Sequence, residues 1–388
     1  MGELKIMTKD TSLLEANHFE ALVERGAILK ALSHVLAAVE KKNVMNILNN
    51  VKIVVGNNYI ELTATDTEIS VTDKIKAEIL SPGALTVNAQ TFYDIVRKLP
   101  DDSKIELSTN NDTKQLIIRS RNCKFTLSYL SAQDFPVMQE GEMTHEFTIA
   151  KADLSKAIER NRFAIAMDET RYNLGGIYLH EANGFLRATA TDGHRLSVVN
   201  IALPKEALDV PGIIIPRKAI FEIKKLLDDS EDNNVKIELS TKKIKFTFAD
   251  TILISKLIDA TYPEYEGLIP KDNQKILQID TDSFSKAIDR VSTISFEKLR
   301  VVKLTITEEK IIVSATSEAN CAATEEIIAN YNDNNEFEIV FNSRYLLDIL
   351  SVIKGETVEL LFGDKYSPTL LRDLTDDSSI YVIMPVLI

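Results

Sequence analysis

Residues 186–199 read LRATATDGHRLSVV. An alternating strand runs into a tight Asp-Gly turn, and a second strand leaves it. The same shape occurs twice more, as ELTATDTEISV at 61–71 and IIVSATSEANCAATEEI at 311–327. Thr65, Thr191 and Thr316 align, at offsets of 126 and 125 residues. A strand and an amphipathic helix precede each copy: FEALVERGAILKALSHVL (19–36), EFTIAKADLSKAIERNRF (146–163) and KILQIDTDSFSKAIDRVS (275–292).

A second pattern repeats independently. It reads strand, polar cap, helix, polar turn, strand, in LTVNAQTFYDIVRKLPDDSKIELS (85–108), IIIPRKAIFEIKKLLDDSEDNNVKIELS (213–240) and EIVFNSRYLLDILSVIKGETVELL (338–361). Asp94, Glu222 and Asp348 align, at offsets of 128 and 126. A period this long means sequential globular domains, not a solenoid of short units. The 388 residues agree with two to four domains. FPVMQEGE (135–142) and YPEYEGLIPKDNQ (262–274) carry Pro, Gly and charge, as linkers do. The expected division is an extension over 1–18, then domains over 19–144, 145–272 and 273–388.

Each domain reads as α+β, with antiparallel sheets and two short helices. The expected helical windows are 24–42, 88–98, 151–162, 216–227, 282–290 and 342–354. Asp153, Asp282 and Asn342 are the expected caps.

Composition narrows the function. The net charge of −13 excludes a generic basic nucleic-acid coat. Thirteen glycines are few for phosphate-cradling loops, and neither GxGxxG nor GxxxxGK[ST] occurs. No cofactor is expected. Cys123 and Cys321 form no CxxC pair, which fits reduced thiols rather than a disulfide scaffold or zinc ribbon. No signal-peptide core or membrane-spanning run is present, so a cytoplasmic protein without membrane partners is expected.

The charge is also segregated. The six helical windows hold 18 Lys and Arg against 9 Asp and Glu, which is +9 and leaves −22 elsewhere. Lysine and arginine are good helix formers, so a solvated face explains this as well as a basic surface does. Three sheet-and-helix units joined head to tail form an arc. Two such arcs close into a ring if the end of one chain matches the start of another. Helices on the inner side would offer a basic hole to a phosphate backbone, with little sequence preference.

Asp192, His194 and Arg195 also suggest a general base with an anion holder, hence a hydrolase or transferase. The repeat argues against it. The first copy has TATDTEISV at the same place, without a histidine. A tight turn with His and Arg on its exposed side is the simpler reading.

TATDGHRLSVV resembles the signature of the bacterial DNA polymerase III beta subunit, the sliding clamp family. RYNLGGIYL (171–179), IIIPRKAIFEI (213–223), YPEYEGLIP (262–270), the FPVM segment and YVIMPVLI (381–388) resemble clamp segments in clamp order. The likeness runs from about residue 19 to the end. It implies a head-to-tail homodimer encircling double-stranded DNA, with sheets outside and helices inside. Such a protein tethers the polymerase III alpha subunit and other clamp-binding proteins, is opened by a clamp loader, and has no catalysis of its own.

Residue by residue, the resemblance implies a partner-peptide pocket of Leu174, Thr191, Gly193, His194, Arg195, Leu196, Pro263, Leu268, Val382, Met384, Pro385 and Val386. It implies DNA contacts by Lys42, Arg171, Tyr172, Arg217 and Lys218. Helix position and charge add Lys30, Arg160 and Arg162. At the dimer seam, Lys124, Phe125 and Leu127 would face Ile294, Glu325 and Glu326 of a second copy. Gly267 and Leu387 stand where relatives carry arginine, so a more apolar pocket rim is expected.

Overall fold

The computed structural model describes residues 19–39, 45–56, 58–139, 141–295, 300–317 and 321–387. Its contacts fall into two compact units, Met1–Ile149 with Lys225–Lys256, and Ala150–Lys224 with Leu257–Ile388.

The first unit holds a nine-stranded and a five-stranded sheet. The large one runs Leu130–Ser131, Gly83–Asn88, Asn50–Val55, Tyr59–Thr65, Ile69–Lys76, Thr251–Lys256, Lys243–Phe248, Asn234–Leu239 and His145–Ala150. It crosses a repeat join where Ile69 faces Ser255, Val71 faces Leu253 and Asp73 faces Thr251. The smaller sheet ends on the edge strand Cys123–Ser128. Helices α1 (Arg25–Val35) and α2 (Ala89–Lys98) pack together, burying Ile28, Leu32, Phe92 and Val96.

The second unit repeats the plan. Its nine-stranded sheet runs Ile213–Pro216, Gly176–Ala182, Phe185–Thr191, Arg195–Ala202, Asp376–Ile383, Thr369–Asp373, Thr357–Phe362, Lys275–Asp280 and Asn330–Tyr331. The second join places Arg195 opposite Ile383 and Val199 opposite Ser379. The four-stranded sheet ends on the edge strand Ala322–Ile328. Helix α3 (Lys151–Asn161) lies on the strands flanking the Asp-Gly turn. Helices α5 (Thr281–Ser292) and α6 (Ser343–Leu350) share a core with Phe341, Phe362 and Tyr381. Helix α4 is Arg217–Asp229. Both joins continue a sheet by backbone pairing, which removes edges that would otherwise stay open.

Several local expectations change. Helix α1 stops at Val35 and passes into a 3-10 turn at Leu36–Ala38, with Val39 extended. Asp280, not Asp282, caps α5, accepting from Ser283 N at 2.8 Å. Asp282 lies one residue inside and pairs with Lys286 at 2.6 Å. Asp153 likewise lies in the first turn of α3, whose N-cap Ala150 has no capping side chain. Both carboxylates still favour the helix N-terminus through its dipole. Asn342 caps α6 as expected, accepting from the backbone of Arg344 and Tyr345.

Candidate functional site

The TATD turn is built by its own side chains. The Thr191 hydroxyl donates to Arg195 O at 2.7 Å and accepts from Gly193 N at 3.1 Å. Asp192 Oδ1 accepts from the backbone N–H of His194 and of Arg195, at 3.0 and 3.1 Å. The first repeat makes the same four bonds with Thr65, Asp66, Thr67, Glu68 and Ile69. Gly193 carries a φ of +85° and Thr67 one of +78° at the equivalent position. The local carboxylate ties down backbone donors that the turn leaves unpaired.

The turn gives the hydrolase reading no support. The Asp192 carboxylate is committed to two backbone N–H groups and to Arg195 Nε at 3.1 Å. The exposed His194 ring stacks on Tyr345, with centroids 5.9 Å apart. No imidazole–carboxylate pair forms between Asp192 and His194, so Asp192 does not orient the ring as a base.

Arg195 is the fixed point of the site. Besides Asp192, its guanidinium donates to Asp348 Oδ2 on α6 at 2.5 Å and to Phe163 O at 2.5 Å. It lies 5.1 Å from the Phe163 ring centroid and 4.4 Å from that of Tyr345. Two carboxylates and two rings compensate a charge that is only 9% exposed. The strand pairing of Arg195 with Ile383 brings the second and third repeats together here.

A cleft of about 270 Å³ opens beside it, lined by Ile165, Ala166, Met167, Asp168, Arg171, Asp192, His194, Arg195, Arg344 and Tyr345. Its lining contains no Ser, Thr or Cys to serve as a nucleophile. Ala166 also belongs to an adjoining apolar cluster with Leu174, Leu196, Val198, Ile214, Tyr262, Tyr265 and Val382.

The expected pocket residues divide accordingly. Leu174, Leu196 and Val382 enter the apolar cluster, and His194 and Arg195 line the cleft. Thr191 and Gly193 form the turn. Met384 is partly exposed and tied to the turn by its N–H on His194 O, at 2.9 Å. Pro385 is buried, and Val386 N donates to Val340 O. Pro263 and Leu268 are exposed, on the segment that carries Tyr262 and Tyr265 inward.

The sequence reading missed Ile165, Ala166, Met167, Asp168, Arg344 and Tyr345. No local motif marks them, because they come from two repeats and meet only through the sheet join. The capping pattern of Asn342 was the available signal for Arg344 and Tyr345, which it sets in the first turn of α6. Gly267 and Leu387 are exposed without charge, yet Arg171 and Arg344 line the cleft.

The basic candidates scatter. Lys42 lies outside the described residues. Arg171 is exposed, donates to Asp192 O at 2.8 Å and sits 3.9 Å from Asp168. Tyr172 is exposed beside it. Arg217 is half-buried at the start of α4, with its guanidinium 5.4 Å from the Phe221 ring, and Lys218 follows it. Lys30 donates to Asp229 O, and Arg162 is exposed.

Arg160, expected as a basic surface charge, is buried. It pairs with Asp376 at 2.8 Å and donates to Ser379 Oγ at 2.6 Å. The excess of base shrinks as well. Among the described residues the helices hold 14 Lys and Arg against 9 Asp and Glu, or +5 rather than +9: Arg162 and Lys354 fall outside them, Lys41 and Lys42 lie outside the described residues, and the gain of Asp228 and Asp229 in α4 offsets the loss of Glu24 and Glu40 from the count.

At the two sheet edges, Lys124, Phe125 and Leu127 lie on one strand, and Glu325 and Glu326 on the other. Phe125 is exposed, and Ile294 is partly buried against the third-repeat core. Both glutamates already have partners within the chain. Arg290 Nε donates to Glu325 at 2.9 Å, and Lys310 pairs with Glu326 at 2.8 Å. The Arg290 bonds hold the Glu325 carboxyl below the usual carboxylate range.

Three repeats of one antiparallel-sheet and two-helix unit, with a cleft at the second sheet join, define a three-domain clamp fold. The chain belongs to the DNA polymerase III beta subunit family, matching its N-terminal domain over 19–139, central domain over 148–264 and C-terminal domain over 266–387. It is 41% identical over 368 residues to the beta sliding clamp of Caulobacter vibrioides, covering 94% of this chain and 98% of that one. The Rickettsia bellii clamp is 38% identical over 378 residues, covering 95% and 99%. Among solved structures, the Caulobacter crescentus clamp superposes with a TM-score of 0.93 at 40% identity, covering 96% and 99%. The Bartonella birtlesii clamp, solved bound to griselimycin, gives 0.93 at 39% identity, covering 96% and 100%.

Proposed function

We infer that this protein is a DNA sliding clamp. It is a non-catalytic processivity factor that encircles duplex DNA and tethers the replicative polymerase. The match of all three beta-subunit domains, in order over residues 19–387, carries this reading. Among the described residues no helix is long and apolar enough to cross a membrane.

The working form is a head-to-tail homodimer. At each internal join, the strand leaving a Thr–Asp turn pairs antiparallel with the final strand of the next repeat. The third strand of this kind, Ala322–Ile328, and the first repeat's final strand, Cys123–Ser128, are both left at sheet edges. A second copy supplies the missing partner for each. The internal joins also give a register. Ser70 faces Ile254 and Leu196 faces Val382. The equivalent pair is Ala322 with Thr126, which sets Ala323 opposite Phe125 and Thr324 opposite Lys124. Phe125 then covers Ala323 near Ile294, both of which already pack against the third-repeat core.

Partners of this clamp, including the polymerase III alpha subunit and the clamp loader, dock a short peptide at the cleft and the apolar cluster beside it. Leu174, Leu196 and Val382 back that surface, and Met384 adapts to different anchors. Arg217, Lys218, Arg171, Tyr172 and Lys42 are the DNA-facing candidates. Sliding calls for weak phosphate contacts rather than one tight pair.

Loading onto nicked circular DNA tests the function. The clamp should stay on the circle and leave when the circle is cut, because the link is topological. Retention on the linear product would overturn the reading. Charge reversal at Arg217 and Lys218 should reduce retention without changing the dimer.

A further inference from the structure

We propose that Arg344 is a specificity-determining residue of the partner cleft, reading a carboxylate on the bound peptide. This rests on the reading of the cleft as the partner site and adds the chemistry of what enters it.

Three arginines line the cleft. Arg195 is consumed by Asp192, Asp348 and Phe163 O. Arg171 is held by Asp192 O and lies near Asp168. Arg344 differs. Its backbone N–H donates to the Asn342 cap, but its exposed guanidinium has no acceptor among the described residues.

The acids of the cleft cannot compensate it. Asp192 is committed to the turn and to Arg195. Asp168 accepts from the Thr170 hydroxyl and N–H, and those bonds hold its carboxyl below the usual carboxylate range. Among the described residues, the cleft guanidinium without a protein acceptor is therefore that of Arg344. It stands beside the His194–Tyr345 stack, an aromatic platform on which a peptide can lie. A guanidinium offers a rigid fork of donors that matches a carboxylate. Gly267 and Leu387 contribute no cation, so acid recognition shifts onto α6.

The test is peptide binding to the full chain, read by fluorescence anisotropy. The probes are an amidated consensus clamp-binding peptide with one Asp at each non-anchor position in turn, and matching Asn peptides. The unaltered protein should bind at least one Asp peptide about three- to tenfold tighter than its Asn twin. Arg344→Ser should bind the two equally with its melting temperature unchanged, and Arg344→Lys should keep part of the preference. An Asp preference that survives Arg344→Ser, or no preference at any position, overturns the inference while leaving the partner site standing. No binding of any peptide by the unaltered protein overturns the site itself, and the inference with it.

Discussion

Asp66 and Asp192 hold equivalent turns in two repeats. Each accepts two backbone N–H bonds. Asp192 in addition supports the buried guanidinium of Arg195. Removing the Asp192 carboxylate frees two backbone donors of the turn. It also strips one partner from a buried charge, for a total of about 2–4 kcal/mol. Asp192→Ala should therefore lower the thermal unfolding midpoint clearly; an unchanged midpoint would refute the added role. The pattern Asp-Gly-His-Arg looks catalytic because turn building and acid–base chemistry draw on the same residue types. Only the direction of the Asp192 bonds separates the two.

The strand Gly176–Ala182 shows how one element anchors the linker into the third repeat. Tyr178 stacks on Tyr262 at 4.6 Å and on His180 at 4.2 Å, while Tyr265 Oη meets His180 Nε2 at 3.0 Å. Burial, aided by the Arg187 charge, lowers the His180 pKa from 6.5 to about 4. The folded state thus keeps this ring neutral where the unfolded chain would protonate it. Between those values the unfolded state binds more protons, so stability rises with pH. The contribution is fully present above about pH 6.5 and is lost as pH falls through about 4. Allowing for partial solvent screening, it is about 1–2 kcal/mol. His180→Phe should flatten the denaturant-midpoint profile across that window. An unchanged slope would assign the acid sensitivity to other groups.

At the scale of the assembled protein, the edge strands carry the predictions. Ile294→Asp puts a charge against the patch that Phe125 would cover, and should give monomers by sedimentation. Lys124→Cys with Thr324→Cys, in a Cys123→Ser and Cys321→Ser background, should form interchain disulfides under mild oxidation. Dimers that resist Ile294→Asp and never cross-link would place the interface elsewhere. The glutamates are the weaker part of the seam. Arg290 and Lys310 already hold Glu325 and Glu326, so a partner lysine would have to share them.

Net charge of −13 and a length of 388 say little about what this chain does; the repeat within them says much. Strand alternation, the Thr–Asp turns and the two periods near 126 residues were legible because they are local, and local patterns are written in order along the chain. The same holds for the Asn342 cap and for the turn residues of the site. What needed the folded structure was every contact between repeats. The Arg195–Asp348 pair, the Tyr345 platform and the burial of Arg160 against Asp376 depend on which strands pair across the joins. Backbone pairing at a join brings together residues more than 150 positions apart, as with Arg195 and Asp348. No periodicity along the chain records that meeting, because the backbone hydrogen bonds that bring it about are the same whichever side chains they carry together.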